Sequence, residues 1–304
     1  MSKIERPSRD IVELFGHAPD DLTKTARSLW DIGACPFTNS PCSKTNSDNT
    51  VVYGTCTVTS KGEPCIICPN RLYENNLIVL QRISEEAFGV APEFIKYENY
   101  ISRRTEKGPF VVPLGHKSGK EVSVSNMSMD WVLALVTNSK LIKYVGIEVQ
   151  SIDITGNYRD NFYAYKNLEK GHGKVRIPSS GHGLNWANVH KRLMPQLIRK
   201  GLIYSRSEMV KKGLYFIVPD IVYRRFEEVI GKDIKTDCDD SPETMTVHTY
   251  GLSDAPGPGK MRTLCPIRQH KISLEEFSKR FINGPNLPAA IDLDNAVRSS
   301  LGCK

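Results

Sequence analysis

Lys143-Tyr-Val-Gly-Ile-Glu148-Val-Gln150-Ser-Ile-Asp-Ile154 reads as one extended strand, and it carries an acid where a buried strand should have none. Side chains alternate along a strand, so Glu148 and Gln150 share one face and can hold one object between them. Upstream, Met129-Asp130-Trp-Val-Leu-Ala-Leu-Val136 is a second apolar strand with an acid near its start, joined to the first by the turn-like Thr137-Asn138-Ser139-Lys140. Two adjacent strands would then converge Asp130 and Glu148. Such a pair suits Mg²⁺, a hard cation that takes oxygen ligands and leaves positions for water and a phosphate. The order Asp, strand, Glu-x-Gln is a near relative of the Asp…(Asp/Glu)-x-Lys nuclease pattern. Short patterns of this kind also arise by chance, as strand-end acids facing solvent.

The 304 residues suffice for one large α/β domain with a small appended module. A formal net charge of +7 is compatible with a polyanionic partner. No apolar run approaches the length of about eighteen residues that a membrane helix needs. Met1-Ser-Lys-Ile-Glu-Arg6 also lacks a secretory core, so a cytoplasmic, reducing setting with no membrane is expected. Eight cysteines in such a setting favour a metal site over disulfides, the more so because five fall between Cys35 and Cys68.

Along the chain, residues 1–33 form an N-terminal segment expected to be helical, with Ser8 capping Ile11-Val-Glu-Leu-Phe15 and Asp20 or Asp21 capping a second helix that ends near Gly33. Residues 34–75, rich in Cys, Pro, Thr, Ser, Asn and Gly, have little apolar periodicity and need a staple. Residues 76–304 carry the remaining elements. Leu77-Ile-Val-Leu80, Phe110-Val-Val-Pro-Leu114 and Glu121-Val-Ser-Val-Ser125 read as strand candidates in a mixed sheet, as do Leu214–Pro219, Met245–Tyr250 and Ile267–Ile272. Asn185–Arg199 carries Trp186, Val189, Leu193 and Leu197 at helical spacing, with Asn188, Lys191, Arg192 and Arg199 on other faces. A helix through Phe226 and Ile230 follows Pro219, and Ser273-Leu-Glu-Glu276 is a capping box before Phe277–Ile282. Ala255-Pro-Gly-Pro-Gly-Lys260 is a surface loop, since Met261 stands where a phosphate loop needs Ser or Thr. His17, His182 and His190 are not spaced as ligands and read as packing or surface residues.

Cys35, Cys42, Cys56, Cys65 and Cys68 give five thiols for a tetrahedral site that takes four. Thiolate coordination can order a polar segment because metal-binding free energy becomes folding free energy. Zinc is the default ion for four thiolates, and iron is permitted by the same geometry.

Several motifs, in order, are similar to the NotI type II restriction endonuclease family: Glu13-Leu-Phe-Gly-His17, Cys35-Pro-Phe37, Cys42-Ser-Lys44, Gly54-Thr-Cys56, Cys68-Pro-Asn-Arg71, Asp130-Trp-Val-Leu-Ala134, Tyr144-Val-Gly-Ile-Glu-Val-Gln150, Asp153 with Gly156 and Tyr158, and Asn185 with Asn188-Val189 and Lys191-Arg192. The likeness spans roughly residues 11 to 200 and fades beyond about residue 230. It implies a PD-(D/E)xK fold, an α/β architecture with a mixed central sheet flanked by helices, plus a small four-cysteine metal-binding module. It further implies a homodimer that uses Mg²⁺ to cut both strands of double-stranded DNA at a GC-rich, GGCC-containing palindrome. Cys35, Cys42, Cys56 and Cys68 lie at matching positions and Cys65 does not, so the first four are the implied ligands, with iron ahead of zinc; Cys238, Cys265 and Cys303 remain ordinary thiols. The resemblance carries over Glu121, Asp130, Glu148 and Gln150 as the catalytic set.

On that reading Asp130 and Glu148, with the Val149 carbonyl, hold Mg²⁺, and Glu121 stands beside the leaving oxygen or a second ion. Gln150 can orient a water but cannot carry a positive charge. Asn157, Arg159, Asn185, Asn188, Lys191 and Arg192 are the candidates for contacting DNA, each readable as a base contact, a phosphate contact or a solvated group. Two other readings explain parts of the sequence. One is a non-enzymatic, metal-stapled DNA-binding protein, which leaves Glu148 unexplained; the other is a structure-specific repair nuclease of the same fold.

Overall fold

A computed structural model describes residues 4–115, 118–124, 127–169 and 174–302, and Cys303 lies outside them. The N-terminal part is built on a three-stranded antiparallel sheet of β1 (Ile11–Leu14), β2 (Thr55–Ser60) and β3 (Glu63–Ile66), with β2 in the middle. Ile11–Leu14 was expected to be helical. All four of its residues are buried, which an amphipathic surface helix would not allow, and pairing with β2 satisfies the backbone there instead. Helix α1 (Lys24–Ile32) does form and ends at Gly33 in the left-handed conformation. Its cap is Thr23, whose hydroxyl accepts from the Ala26 N–H, and Asp21 in turn accepts from the Thr23 N–H.

Helix α2 (Ile78–Phe88) stands where Leu77–Leu80 suggested a strand. The buried set Val79, Leu80, Ile83, Ser84 and Ala87 extends the four-residue apolar run with helical spacing, and that longer period decides the element. The central sheet has seven strands: β4 (Glu93–Phe94), β5 (Phe110–Leu114), β6 (Trp131–Thr137), β7 (Lys140–Val149), β8 (Val210–Pro219), β9 (Thr244–Leu252) and β10 (Leu264–Ser273), lying side by side in that order. It is mixed: β7, β8 and β9 are parallel to one another, as are β4 and β5, while β6 and β10 run antiparallel to their neighbours. The hairpin between β6 and β7 turns at Asn138 and Ser139, both at positive φ, the requirement of a tight two-residue turn. Glu121–Ser125 was expected as a half-buried strand; Val122–Val124 instead forms a separate two-stranded ribbon with Met127–Met129.

Helices α3 (Tyr97–Arg103) and α4 (Arg159–Lys166) precede α5 (Met194–Ser205), α6 (Asp220–Ile230), α7 (Leu274–Asn283) and α8 (Ala290–Leu301). Along β7, Val145, Ile147 and Val149 pack with the α2 residues Leu80 and Ile83. The alternate residues face α5, so the two layers meet opposite faces of one strand. Asn185–Arg199 is not a single helix: Val189–Leu193 is a π-type turn and regular α-helix starts at Met194. Pro195, which has no N–H to give the preceding turn, accounts for the widening. No helix among the described residues is long and apolar enough to cross a membrane.

Within the N-terminal part, a buried ion pair ties the turn after Cys68 to β1. Arg71, on the short helical turn Pro69–Tyr73, donates from Nε to Glu13 Oε2 at 3.1 Å, with side-chain exposures of 1% and 0%. Thr57 donates to the same carboxylate, the Arg71 Nη2 reaches the Arg262 carbonyl at 2.7 Å, and the guanidinium lies 4.7 Å from the Phe37 ring centre. Arg71→Met should lower unfolding stability by about 3–5 kcal/mol, because it leaves a carboxylate buried without its partner. The added change Glu13→Leu should recover a large part of that loss, as read from urea midpoints.

Candidate active site

Hairpin register brings the two expected acids together. Trp131 pairs with Ile147, so the next step along the ladder sets Asp130 opposite Glu148 at the mouth of β6 and β7. Backbone groups fix them reciprocally: the Val149 N–H donates to Asp130 Oδ2 at 2.9 Å and the Asp130 N–H reaches Glu148 Oε1 at 3.4 Å. Asp130 is half-buried, while Glu148 is 6% exposed. Burial, and then the charge of Asp130, push the Glu148 carboxyl up to about 8 against the opposing pull of Lys200. The strand is shorter than its sequence suggested. It stops at Val149, and Ile154–Thr155 pairs separately with Gly183–Leu184. Gln150 still follows the ladder, donating its N–H to the Ile217 carbonyl at 2.9 Å, and it is half-buried. Glu121 is exposed and directly precedes Val122, which pairs with Met129, so the ribbon carries it alongside Asp130.

One residue at this centre escaped the sequence reading. Lys200 projects from α5 onto Glu148, with Nζ 2.5 Å from Oε2, and is itself only 9% exposed. Four residues on, Tyr204 reaches the same strand face; its hydroxyl is buried, has no hydrogen-bond partner among the described residues, and feels the charges of Glu148 and Asp130. Gly146 makes room for it, since a Cβ at that position would stand 2.1 Å from the Tyr204 ring. The signal was in the spacing: Leu193, Leu197, Lys200, Gly201 and Tyr204 make one buried helical face, with a lysine in its centre.

The cysteine segment abuts the acids. Tyr73, five residues beyond Cys68, accepts a hydrogen bond from Trp131 Nε1 at 3.0 Å, and Trp131 is the neighbour of Asp130. Burial pushes the Cys42 thiol up to about 11, with the charges of Cys68 and Cys35 adding to it. Burial also drives Cys56 well above the ordinary thiol range, again with Cys68 and Cys42 contributing. These four sulfurs are therefore electrostatic neighbours. Cys65 is raised to about 12 by burial, and the charged group acting on it is Arg224. Among the described residues, however, no group of three or more His, Cys, Asp or Glu side chains is disposed to hold a metal ion. At the acids, the oxygen-only set of Asp130 and Glu148 has the chemistry of a hard divalent cation, with the remaining positions left to backbone, water and substrate.

The expected DNA contacts divide. Arg159, Lys191 and Arg192 are exposed. Asn157 is exposed as well, yet its side chain accepts from the Arg159 N–H. Asn188 is already held, donating to Asp153 Oδ2 at 2.9 Å, and the Asn185 N–H donates to the Asp153 carbonyl at 2.8 Å. These two bonds fasten the start of the basic turn three residues beyond Gln150. His17 and His182 are buried packing residues; His182 bonds the Ser180 hydroxyl and the Thr59 carbonyl. The loop Ala255–Lys260 lies at the surface, pinned where the Gly259 N–H donates to Asp21 at 2.6 Å.

No curated protein matches the chain. The profile of the family described as restriction endonuclease NotI matches residues 23–225, a span that holds both acids, Lys200 and the cysteine cluster. That match covers well over half of the 304 residues, and the chain belongs to the NotI restriction endonuclease family, whose members are site-specific deoxyribonucleases.

Proposed function

We propose that this enzyme is a Mg²⁺-dependent PD-(D/E)xK nuclease that acts as a homodimer on a GC-rich palindrome containing GGCC, in the bacterial cytoplasm. The observation that carries the proposal is the meeting of Asp130 and Glu148 at paired strand ends inside the family-matched span. Asp130, Glu148 and the Val149 carbonyl would hold the ion, which when bound supplies the charge that makes a water nucleophilic near neutral pH. The chain's own work is positional. The reciprocal backbone bonds keep the two carboxylates side by side, Gln150 would orient the attacking water by hydrogen bonding, and exposed Glu121 would stand towards the leaving side. Arg159, Lys191 and Arg192 engage the DNA, while Asn157, Asn185 and Asn188 act chiefly by shaping the loops that present them. Two centres related by a two-fold axis match a palindrome, hence the homodimer. Residues 34–75 would serve as a structural module in which Cys35, Cys42, Cys56 and Cys68, the set the family resemblance implies, would take one iron or zinc ion, while Cys65 stands apart beside Arg224.

Incubation with long, sequenced, GC-containing phage DNA should give discrete fragments with common ends in Mg²⁺ and none in EDTA, and Asp130→Asn should lose cutting by at least about 10²-fold. Intact DNA that still shifts on a gel would make this a binding protein, and scattered ends would make it a structure-reading nuclease.

Because burial and the charge of Asp130 push the Glu148 carboxyl up to about 8, an arriving ion competes with a proton for it near neutral pH. At limiting Mg²⁺ the cleavage rate should therefore climb with pH and level off above about 8, and the midpoint should move to lower pH as Mg²⁺ is raised. A rate independent of pH between 6 and 9, at about constant ionic strength, would remove Glu148 from the ion's ligands. For the cysteines, elemental analysis should find one iron or zinc per chain, with loss of metal and a lower Tm in Cys42→Ser and neither change in Cys65→Ser.

A further inference from the structure

Asp130 and Glu148 bring two carboxylates to one point, and the residue two places along the strand, Gln150, brings no positive charge. The cation at this point comes from another layer of the fold. Lys200 Nζ lies 2.5 Å from Glu148 Oε2, while the other oxygen of that carboxylate stays near the Asp130 N–H. Burying an ammonium is costly, and a buried ion pair is commonly no more stabilising than apolar residues of similar volume. The face of α5 around Lys200 is otherwise Leu197, Gly201 and Tyr204, where a Leu or Met would pack without that cost. Stability therefore gives a poor account of this lysine, whereas its contact with one oxygen of one catalytic acid gives a direct one.

We propose that Lys200 is a positioning residue that supplies from helix α5 the positive charge Gln150 lacks, holding Glu148 Oε2 so that Oε1 and Asp130 face the cation and the scissile phosphate. This rests on the nuclease reading above. Its ammonium attracts the carboxylate form of Glu148 and so offsets the repulsion by Asp130 once the Glu148 proton has left, which keeps the two acids close enough to share one ion. Once the phosphate is bound, the same charge faces the negative charge that develops there. Tyr204, on the same face one turn later, closes the buried side of the site against water. Lys200 competes electrostatically with the metal for Glu148, so its removal should tighten metal binding while slowing the chemistry, a combination that a purely structural role does not produce.

The test compares wild type, Lys200→Met, Gln150→Lys and the double variant Lys200→Met/Gln150→Lys on a duplex carrying the site at which wild type cuts. The readouts are single-turnover cleavage in Mg²⁺, DNA binding in Ca²⁺, and the Mg²⁺ concentration that gives half-maximal thermal stabilisation. Lys200→Met should bind the duplex as wild type does, require several-fold less Mg²⁺ for half-maximal stabilisation, and cut about 10²-fold more slowly. Gln150→Lys in that background should return at least about tenfold of the rate, because side chains two apart on a strand lie about 7 Å apart and share a face, within reach of the same carboxylates. Cutting by Lys200→Met within threefold of wild type, or a loss that Gln150→Lys does not relieve, overturns the proposal. If Lys200→Met does not fold, Lys200→Gln carries the same comparison with the same outcomes. Failure of wild type to cut in Mg²⁺ refutes the nuclease reading itself, independently of Lys200.

Discussion

A carboxylate held almost out of water beside a second one is the constraint around which the sheet is arranged. Glu148 at the end of β7 must be desolvated, must tolerate Asp130 opposite it, and must keep an oxygen available. Each requirement is met by a different element: β8 flanks the strand, β6 delivers Asp130 through the hairpin register, and α5 delivers Lys200. The strand's composition follows. Gly146 is bare so that Tyr204 can close over the strand, and Val145, Ile147 and Val149 on the opposite face pack against α2. Burial and the charge of Asp130 push the Glu148 carboxyl up, and the neighbouring ammonium works in the other direction.

The N-terminal module is not an independent appendage. Its short helical turn after Cys68 presents Arg71 to Glu13 on β1 and Tyr73 to Trp131 on β6, the two side chains standing two residues apart on the same turn. The first contact binds the module to the N-terminal sheet, and the second fixes the indole beside Asp130. A disturbance of the cysteine cluster therefore reaches Asp130 through one covalent turn and one hydrogen bond. The turn after Cys68 thus contributes to the position of Trp131, the neighbour of Asp130, through the bond to Tyr73.

How much of this the sequence disclosed varied with the kind of pattern. The hairpin of β6 and β7 was legible because its turn, its alternation and its two acids agree, and β8, α6 and the Ser273 cap were legible for the same reason. Ile11–Leu14 misled because a four-residue segment buried on every side has no periodicity to read, and Leu77–Leu80 because the helical period emerges only when Ile83 and Ala87 are counted. Asp130 and Glu148 were found through strand register, which is local. Lys200 was not, because its partner lies 52 residues away and a lone lysine in a helix ordinarily reads as a solvated charge. Only its place among Leu193, Leu197 and Tyr204 marks it, and that mark has meaning once a buried anion is known to lie opposite.

Carrying the cation on α5 rather than on the strand sets it on a different element from Glu148. A lysine at position 150 would move with the strand, whose ladder with β8 is continuous. Lys200 instead belongs to a helix that begins at a π-type turn, and that turn exposes Lys191 and Arg192 at its surface. The start of the turn is tied back to the catalytic strand through Asn185, Asn188 and Asp153. A widened turn is a place where a helix can change its winding by one residue, and doing so rotates every side chain beyond it by about 100°. The residue carried two turns further along, Lys200, is the one that contacts Glu148. The π-type turn joins the exposed Lys191 and Arg192 to the buried Lys200 along one helical segment, and such continuity does not by itself amount to coupling, which requires an element with two states.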